Sequence, residues 1–189
     1  MQQYIKEFVR KYRHKRILKI FNIPKHGKVL DLSCADGKFI DRLHGLEPNL
    51  ELFGIDISNE DIQKAKNDFT YANFRQENVN KLTFKDNTFD VIFSIMSLHH
   101  YQNANDFFEE VFRVLKPNGI LYVADLIPKY TWTQNIHNWK GCPEPYHFEK
   151  FYSIKEIEKI LMSNHFRLIS DKRISHLLSI RLLEIKKAI

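Results

Sequence analysis

Asp31, Ser33, Ala35, Gly37 and Asp56 are the residues whose types and spacing point most directly to chemistry. They fall in two short stretches, KVLDLSCADGKF at 28–39 and LFGIDIS at 52–58. In the first, an apolar run ends at an acid and breaks into a turn that keeps a single glycine. In the second, another apolar run ends at Asp56, nineteen residues after Gly37. A carboxylate placed there, at the end of a second strand, can accept hydrogen bonds from both hydroxyls of a ribose. A dinucleotide loop needs G-x-G-x-x-G, because its backbone must come close to a pyrophosphate and present N–H groups to it. Ser33 and Ala35 stand where the first two of those glycines would be. The pair of stretches therefore reads as a nucleoside site whose ligand has no pyrophosphate.

A second set of candidates could handle protons. His99, His100 and Tyr101 follow the buried-type run at 91–96 in SLHHY, and Trp132, His137, Trp139 and His147 lie in an irregular aromatic segment at 126–152. An imidazole beside a reacting group can take a proton from a nucleophile. His99 and His147 are the two candidate bases. Each also has an ordinary reading, as a residue that shapes a pocket or covers a sheet edge. Cys34 and Cys142 form neither a disulfide framework nor a metal-ligand pattern, so no metal is expected. Cys34 reads as a small buried residue of the turn.

The elements that must position these residues alternate along the chain. Apolar runs at 28–32, 50–57, 91–96 and 120–125 read as strands, with 73–76 a weakly marked further strand, and the helical spacings at 37–46, 59–69 and 105–115 fall between them. Ser58 is a plausible N-cap, and Lys116-Pro117-Asn118-Gly119 stops the third helix. This alternation argues for a parallel sheet covered on both faces. A capped helix at 153–164 precedes two extended runs, 166–172 and 177–185, whose short connection makes them antiparallel.

With 43% apolar residues in 189, the chain has enough for a sizeable core and reads as one domain. The net charge of +6 is uneven: residues 1–28 carry nine Lys and Arg against Glu7 alone, and the rest of the chain is slightly acidic. Tyr4, Ile5, Phe8, Val9 and Tyr12 recur at helical spacing, so the beginning reads as a basic amphipathic helix. No apolar run reaches the roughly 18 residues of a membrane span, and the first residues lack the apolar core of a secretory signal. A cytoplasmic location, without a membrane span, is the expectation.

S-adenosylmethionine is a nucleoside ligand without phosphates. At this point the motifs resemble a known family. VLDLSCADGKF resembles motif I of the class I S-adenosylmethionine-dependent methyltransferases, written V-L-D-L-G-C-G-x-G, and FGIDIS resembles the acidic motif that follows it. ENVNKLTFKDNTFDVIFSIMSLHHY and VFRVLKPNGILYVAD resemble the next two blocks, and HFEKFYSIKEIEKILMSNHF the helix before the closing hairpin. The likeness covers roughly 28–185 and is nearest to the small-molecule group that includes the ubiquinone and menaquinone C-methyltransferases.

The resemblance implies an α/β, doubly wound, mostly parallel seven-stranded sheet of order 3-2-1-4-5-7-6, with a C-terminal antiparallel hairpin and helices on both faces. It implies S-adenosylmethionine as cofactor, with 28–125 as the cofactor-binding core, 126–152 as a substrate lid and 153–189 as the closing helix and hairpin. Asp31 would approach the methionine amino group. Ser33, Ala35 and Gly37 would line the methionine and ribose, and Asp56 would hold the ribose hydroxyls with Ile57 against the adenine. Asn78 and the Val79 backbone would meet the adenine edge, and Ser94 would end the fourth strand beside the ligand. Tyr12 or Arg13 would close over the methionine carboxylate. Ser33 and Ala35 depart from the family's glycines, and Asn78 stands in place of an acid. The expected acceptor is a small molecule and the expected state a monomer or homodimer. Two other readings stay open: an RNA or protein methyltransferase using the basic helix, and a module that binds the nucleoside without chemistry. Nucleic acid is not favoured, because SIMS stands where an N/D-P-P-Y motif would act on base amines.

Overall fold

Runs such as VLDL and VIFSI can be buried on both sides, and that property sets the architecture. A computed structural model describes residues 14–127, 150–174 and 180–188. Its strands are β1 (Gly27–Leu32), β2 (Leu50–Asp56), β3 (Asn73–Gln76), β4 (Phe89–Ile95), β5 (Leu115–Leu126), β6 (Phe166–Arg173) and β7 (Ile180–Lys187). The helices are α1 (Lys38–Leu46), α2 (Asn59–Asp68), α3 (Ala104–Val114) and α4 (Ile154–Ser163), with a short 3-10 turn at Leu98–His100. The sheet order is β3-β2-β1-β4-β5-β7-β6, as expected. β1 to β5 are parallel, and β7 runs antiparallel to both β5 and β6.

Alternating side chains feed two cores. Leu30, Leu32, Ile55, Ile92 and Val123 pack with α3 and α4 on one face. Val29, Leu52, Val91, Phe93 and Tyr122 pack with α1 and α2 on the other. Of the basic N-terminal segment, residues 14–20 are described and are helical. Ile17 and Leu18 are buried there, and Phe21 packs its ring 4.6 Å from Phe93 and 4.3 Å from Tyr122. Tyr4, Ile5, Phe8, Val9, Tyr12 and Arg13 lie outside the described residues.

Local chemistry fixes the helix ends. The Ser58 hydroxyl accepts from the Asp61 N–H at 3.2 Å, and Glu60 and Asp61 stand in the first turn, where the helix dipole favours acids. Ser153 and Glu156 cap α4 reciprocally. α3 stops at Val114 rather than 115, and β5 begins at Leu115, ahead of the expected 120. Lys116 precedes Pro117 and is pushed out of the helical region, which draws the chain into pairing with β4 at Leu115↔Phe89.

Candidate functional site

Strand register brings the candidate residues to one edge. Leu32 pairs with Ile55 of β2 and with Ser94 of β4, so the chain leaves β1, β2 and β4 at the same level. The connections diverge between β1 and β4, the switch point where open α/β sheets hold ligands.

The loop after β1 is built from left-handed backbone. Ser33 has φ 63°, Ala35 φ 46° and Gly37 φ 75°. Such conformations cost a side-chain-bearing residue about 1–2 kcal/mol, so other bonds must hold them. Cys34 donates its N–H to the Ile55 carbonyl at 2.8 Å, and Gly37 donates to the Cys34 carbonyl at 3.0 Å. Asp56 completes the clamp. Its Oδ2 accepts from the Ala35 N–H and its Oδ1 from the Ser58 N–H, each at 2.9 Å. Gly54 makes room beneath: a Cβ there would meet Ile40 Cδ1 at 2.6 Å and Cys34 Sγ at 2.8 Å. Gly37 serves packing as well, since its own Cβ would press on Phe69 and Phe74 at 3.0 Å, away from the cleft.

Asp31 lies under this loop, 4% exposed, and its Oδ1 is buried without a hydrogen-bond partner. Burial, and secondarily the Asp56 charge, pushes its carboxyl well above the usual carboxylate range. A buried acid with an unsatisfied oxygen is stabilised by a cationic ligand group.

A cleft of about 670 Å³ opens beyond the strands, with Ser33, Asp56, Ile57, Asn78, Val79 and His100 among its walls. Ile57 is 72% exposed, an apolar surface left largely uncovered. Asn78 lies at the rim, where its Oδ1 accepts from the Asn80 N–H at 2.9 Å and its carbonyl from Lys81 at 3.0 Å. The amide oxygen thus shapes a turn and retains a second lone pair. Asn80 contributes a buried Oδ1 without a partner.

Ser94 is fully buried and reaches the cleft only through other hydroxyls. Its Oγ lies 3.0 Å from Ser97 Oγ, Tyr101 donates to Ser97 at 2.8 Å, and Ser33 Oγ lies 3.0 Å from Tyr101 Oη. His99 sits outside the cleft wall. Its Nδ1 is 2.6 Å from Asp125 Oδ1, its backbone N–H donates to Asp125 Oδ2 at 3.2 Å, and its ring stacks on Phe151 at 5.1 Å. His147 lies outside the described residues. No cluster suited to a metal occurs among the described residues.

Two residues were missed from the sequence, Gly54 and Met96, the latter left-handed at φ 56° in the turn after β4; His100 and Tyr101 were among the candidates, but not the place of His100 on the wall or the bond of Tyr101 to Ser97. A lone glycine inside LELFGIDI was a usable signal for the first. The others depend on how the turn after β4 folds, which periodicity does not reveal.

A family model described as a methyltransferase domain matches residues 23–174. The chain belongs to this methyltransferase-domain family. The match contains every described residue of the candidate site, and its class is the S-adenosylmethionine-dependent one. Among curated proteins, the methyltransferase-domain chain is 36% identical over 126 residues to the putative methyltransferase YqeM of Bacillus subtilis, covering 59% of this chain and 50% of that one. It is 33% identical over 107 residues to the ubiquinone/menaquinone biosynthesis C-methyltransferase UbiE of Desulfotalea psychrophila, covering 56% and 44%. The chain thus spans about half the length of these curated relatives. In fold it is similar to a chain in the solved complex between the Haloferax volcanii Trm112 methyltransferase activator and a putative methyltransferase. The TM-score is 0.81 at 18% identity, covering 97% of this chain and 92% of that one.

S-adenosylmethionine is the cofactor this membership indicates. The site's own features fit it. Asp31 offers a buried carboxyl oxygen without a partner to an ammonium, Asp56 a carboxylate to a diol, and Ile57 an apolar face to a purine.

Proposed function

We propose that this methyltransferase-domain protein transfers a methyl group from S-adenosylmethionine to a small-molecule acceptor. The observation that carries the reading is the position of Asp56, whose carboxylate is fixed by two backbone N–H groups at the edge of a cleft beside the switch point. When bound, the cofactor supplies an electrophilic methyl group on a sulfonium. The chain's own residues supply position and electrostatics. Asp56 accepts the ribose hydroxyls with its remaining lone pairs. Ile57 covers one face of the adenine, while the Asn78 amide oxygen and the Val79 backbone meet its edge. Asp31 balances the methionine ammonium, which lowers the free energy of its own ionised form. Ser33 and Ala35 shape the wall against the methionine and ribose, and Gly37 and Ser94 support it from behind.

A proton must leave only if the acceptor arrives protonated. His100, on the cleft wall, is the described imidazole placed to take it. His99 supports the turn that carries His100, through Asp125. His147 remains a second candidate base.

The name of the UbiE relative, a ubiquinone/menaquinone biosynthesis C-methyltransferase, directs the acceptor search toward quinone-related small molecules, hydroquinones among them. The test is incubation with methyl-labelled S-adenosylmethionine and a panel of hydroquinones, phenols and small acids, with RNA and protein as parallel acceptors. Label in a small molecule is the expected result. Label confined to RNA or protein would overturn the small-molecule reading.

A further inference from the structure

The cofactor loop of this chain keeps a left-handed serine where the pattern it resembles has glycine. Ser33 has φ 63°, a conformation in which a side chain is disfavoured, so something must hold it. What holds it comes from another element. Tyr101, seven residues beyond Ser94 and just past the 3-10 turn, is buried with its ring 4.7 Å from Phe107, and its hydroxyl lies 3.0 Å from Ser33 Oγ. Proton counting orders the chain. Tyr101 has one hydroxyl proton and gives it to Ser97, so Ser33 donates to Tyr101. Ser97 is held in turn by Ser94, buried at the end of β4.

We propose that Tyr101 is a positioning residue for the cofactor loop: its bond to Ser33 stands in for the missing glycine, locking the loop in the ligand-binding conformation and tying it to the turn that carries His100. The inference rests on the S-adenosylmethionine reading above. A glycine reaches this conformation without help but also leaves it easily. A tied serine is held in place, and a ligand whose site is already formed binds more tightly by the fraction preorganised.

The experiment is a double-mutant cycle on affinity for S-adenosylhomocysteine, measured by calorimetry on wild type, Ser33→Gly, Ser33→Ala, Tyr101→Phe and Ser33→Gly/Tyr101→Phe. Unliganded melting temperatures are measured in parallel. Tyr101→Phe should weaken binding about fivefold, the worth of one neutral hydrogen bond. The same change in the glycine background should cost less than about twofold, because no serine remains to be held. Ser33→Ala, which keeps the side-chain strain and loses the tie, should bind more weakly than Ser33→Gly.

Equal losses in Ser33→Ala and Ser33→Gly would mean that the hydroxyl serves the ligand directly, and would overturn the proposal. An equal cost of Tyr101→Phe in both backgrounds would overturn it too, by placing Tyr101 against the ligand or in the core alone. If Tyr101→Phe does not fold, the order of the two Ser33 variants decides by itself. Wild type that binds while the cycle shows no coupling sinks the lock alone. Wild type that does not bind sinks the cofactor reading and the lock with it.

Discussion

Replacing Asp56 by asparagine changes one atom and should disable the site. Each Asp56 oxygen accepts a backbone N–H at 2.9 Å, Oδ2 from Ala35 and Oδ1 from Ser58. An amide has only one oxygen, so whichever way it turns, its NH2 group faces an N–H donor. One charge-assisted bond is lost outright, and the remaining acceptor capacity for a ribose diol is halved. A hydrogen bond to a charged group is worth about 1.5–3 kcal/mol, which corresponds to about 10- to 100-fold in affinity. The variant should therefore bind S-adenosylhomocysteine at least tenfold more weakly by calorimetry. Circular dichroism should show the fold retained, since Asp56 lies at the sheet edge and belongs to neither core. A dissociation constant within twofold of wild type would refute the reasoning, and a lowered melting temperature alone would make Asp56 a loop brace.

Three further outcomes follow from the same geometry. Burial raises the Asp31 carboxyl above its unfolded value, so the stability it contributes is full below the unfolded value and is lost as pH rises through the folded one. Asp31→Asn should then melt higher than wild type without ligand, with the gap growing from acid toward alkaline pH, while its cofactor affinity falls about tenfold; a lower melting temperature at neutral pH contradicts this. His99→Ala should cost about 2–3 kcal/mol in urea unfolding, because it leaves the buried Asp125 carboxylate short of its 2.6 Å partner. Unchanged stability with lost turnover would instead place the His99 ring in the reaction. The Cys34 thiol is buried, and burial first, then the Asp31 and Asp56 charges, raise its pKa. It should resist iodoacetamide until the protein unfolds, and rapid labelling of the native Cys34 peptide in mass spectrometry would contradict that.

The centre of the sheet was legible because β1, β4 and the later part of β5 are buried on both faces and read as apolar runs with breakers between them, whereas β3, where Phe74 alone is buried, is weakly marked. The hairpin was legible because 166–172 and 177–185 stand too close to be joined by a crossover. Asp56 was legible from distance along the chain, since strand–turn–helix–strand geometry converts nineteen residues into adjacency. The glycine-poor loop was harder. Ser33 and Ala35 suggest an altered turn, yet their backbones keep left-handed angles, held by Asp56, Ile55 and Tyr101. Those bonds span 21 to 68 residues, and nothing local announces them. The same holds for SLHHY. Three polar candidates in a row take different partners once the 3-10 turn forms: His99 joins the Asp125 pair, His100 lines the cleft, and Tyr101 lines it too while bonding Ser33.

The most direct measurement is calorimetric titration of the purified protein with S-adenosylmethionine, beside NAD and ATP. One equivalent bound with micromolar affinity, and neither control bound, is the predicted result. NAD bound with comparable affinity, or no heat with S-adenosylmethionine, would contradict the assignment of the cleft between Asp56, Ile57 and Asn78 to this cofactor.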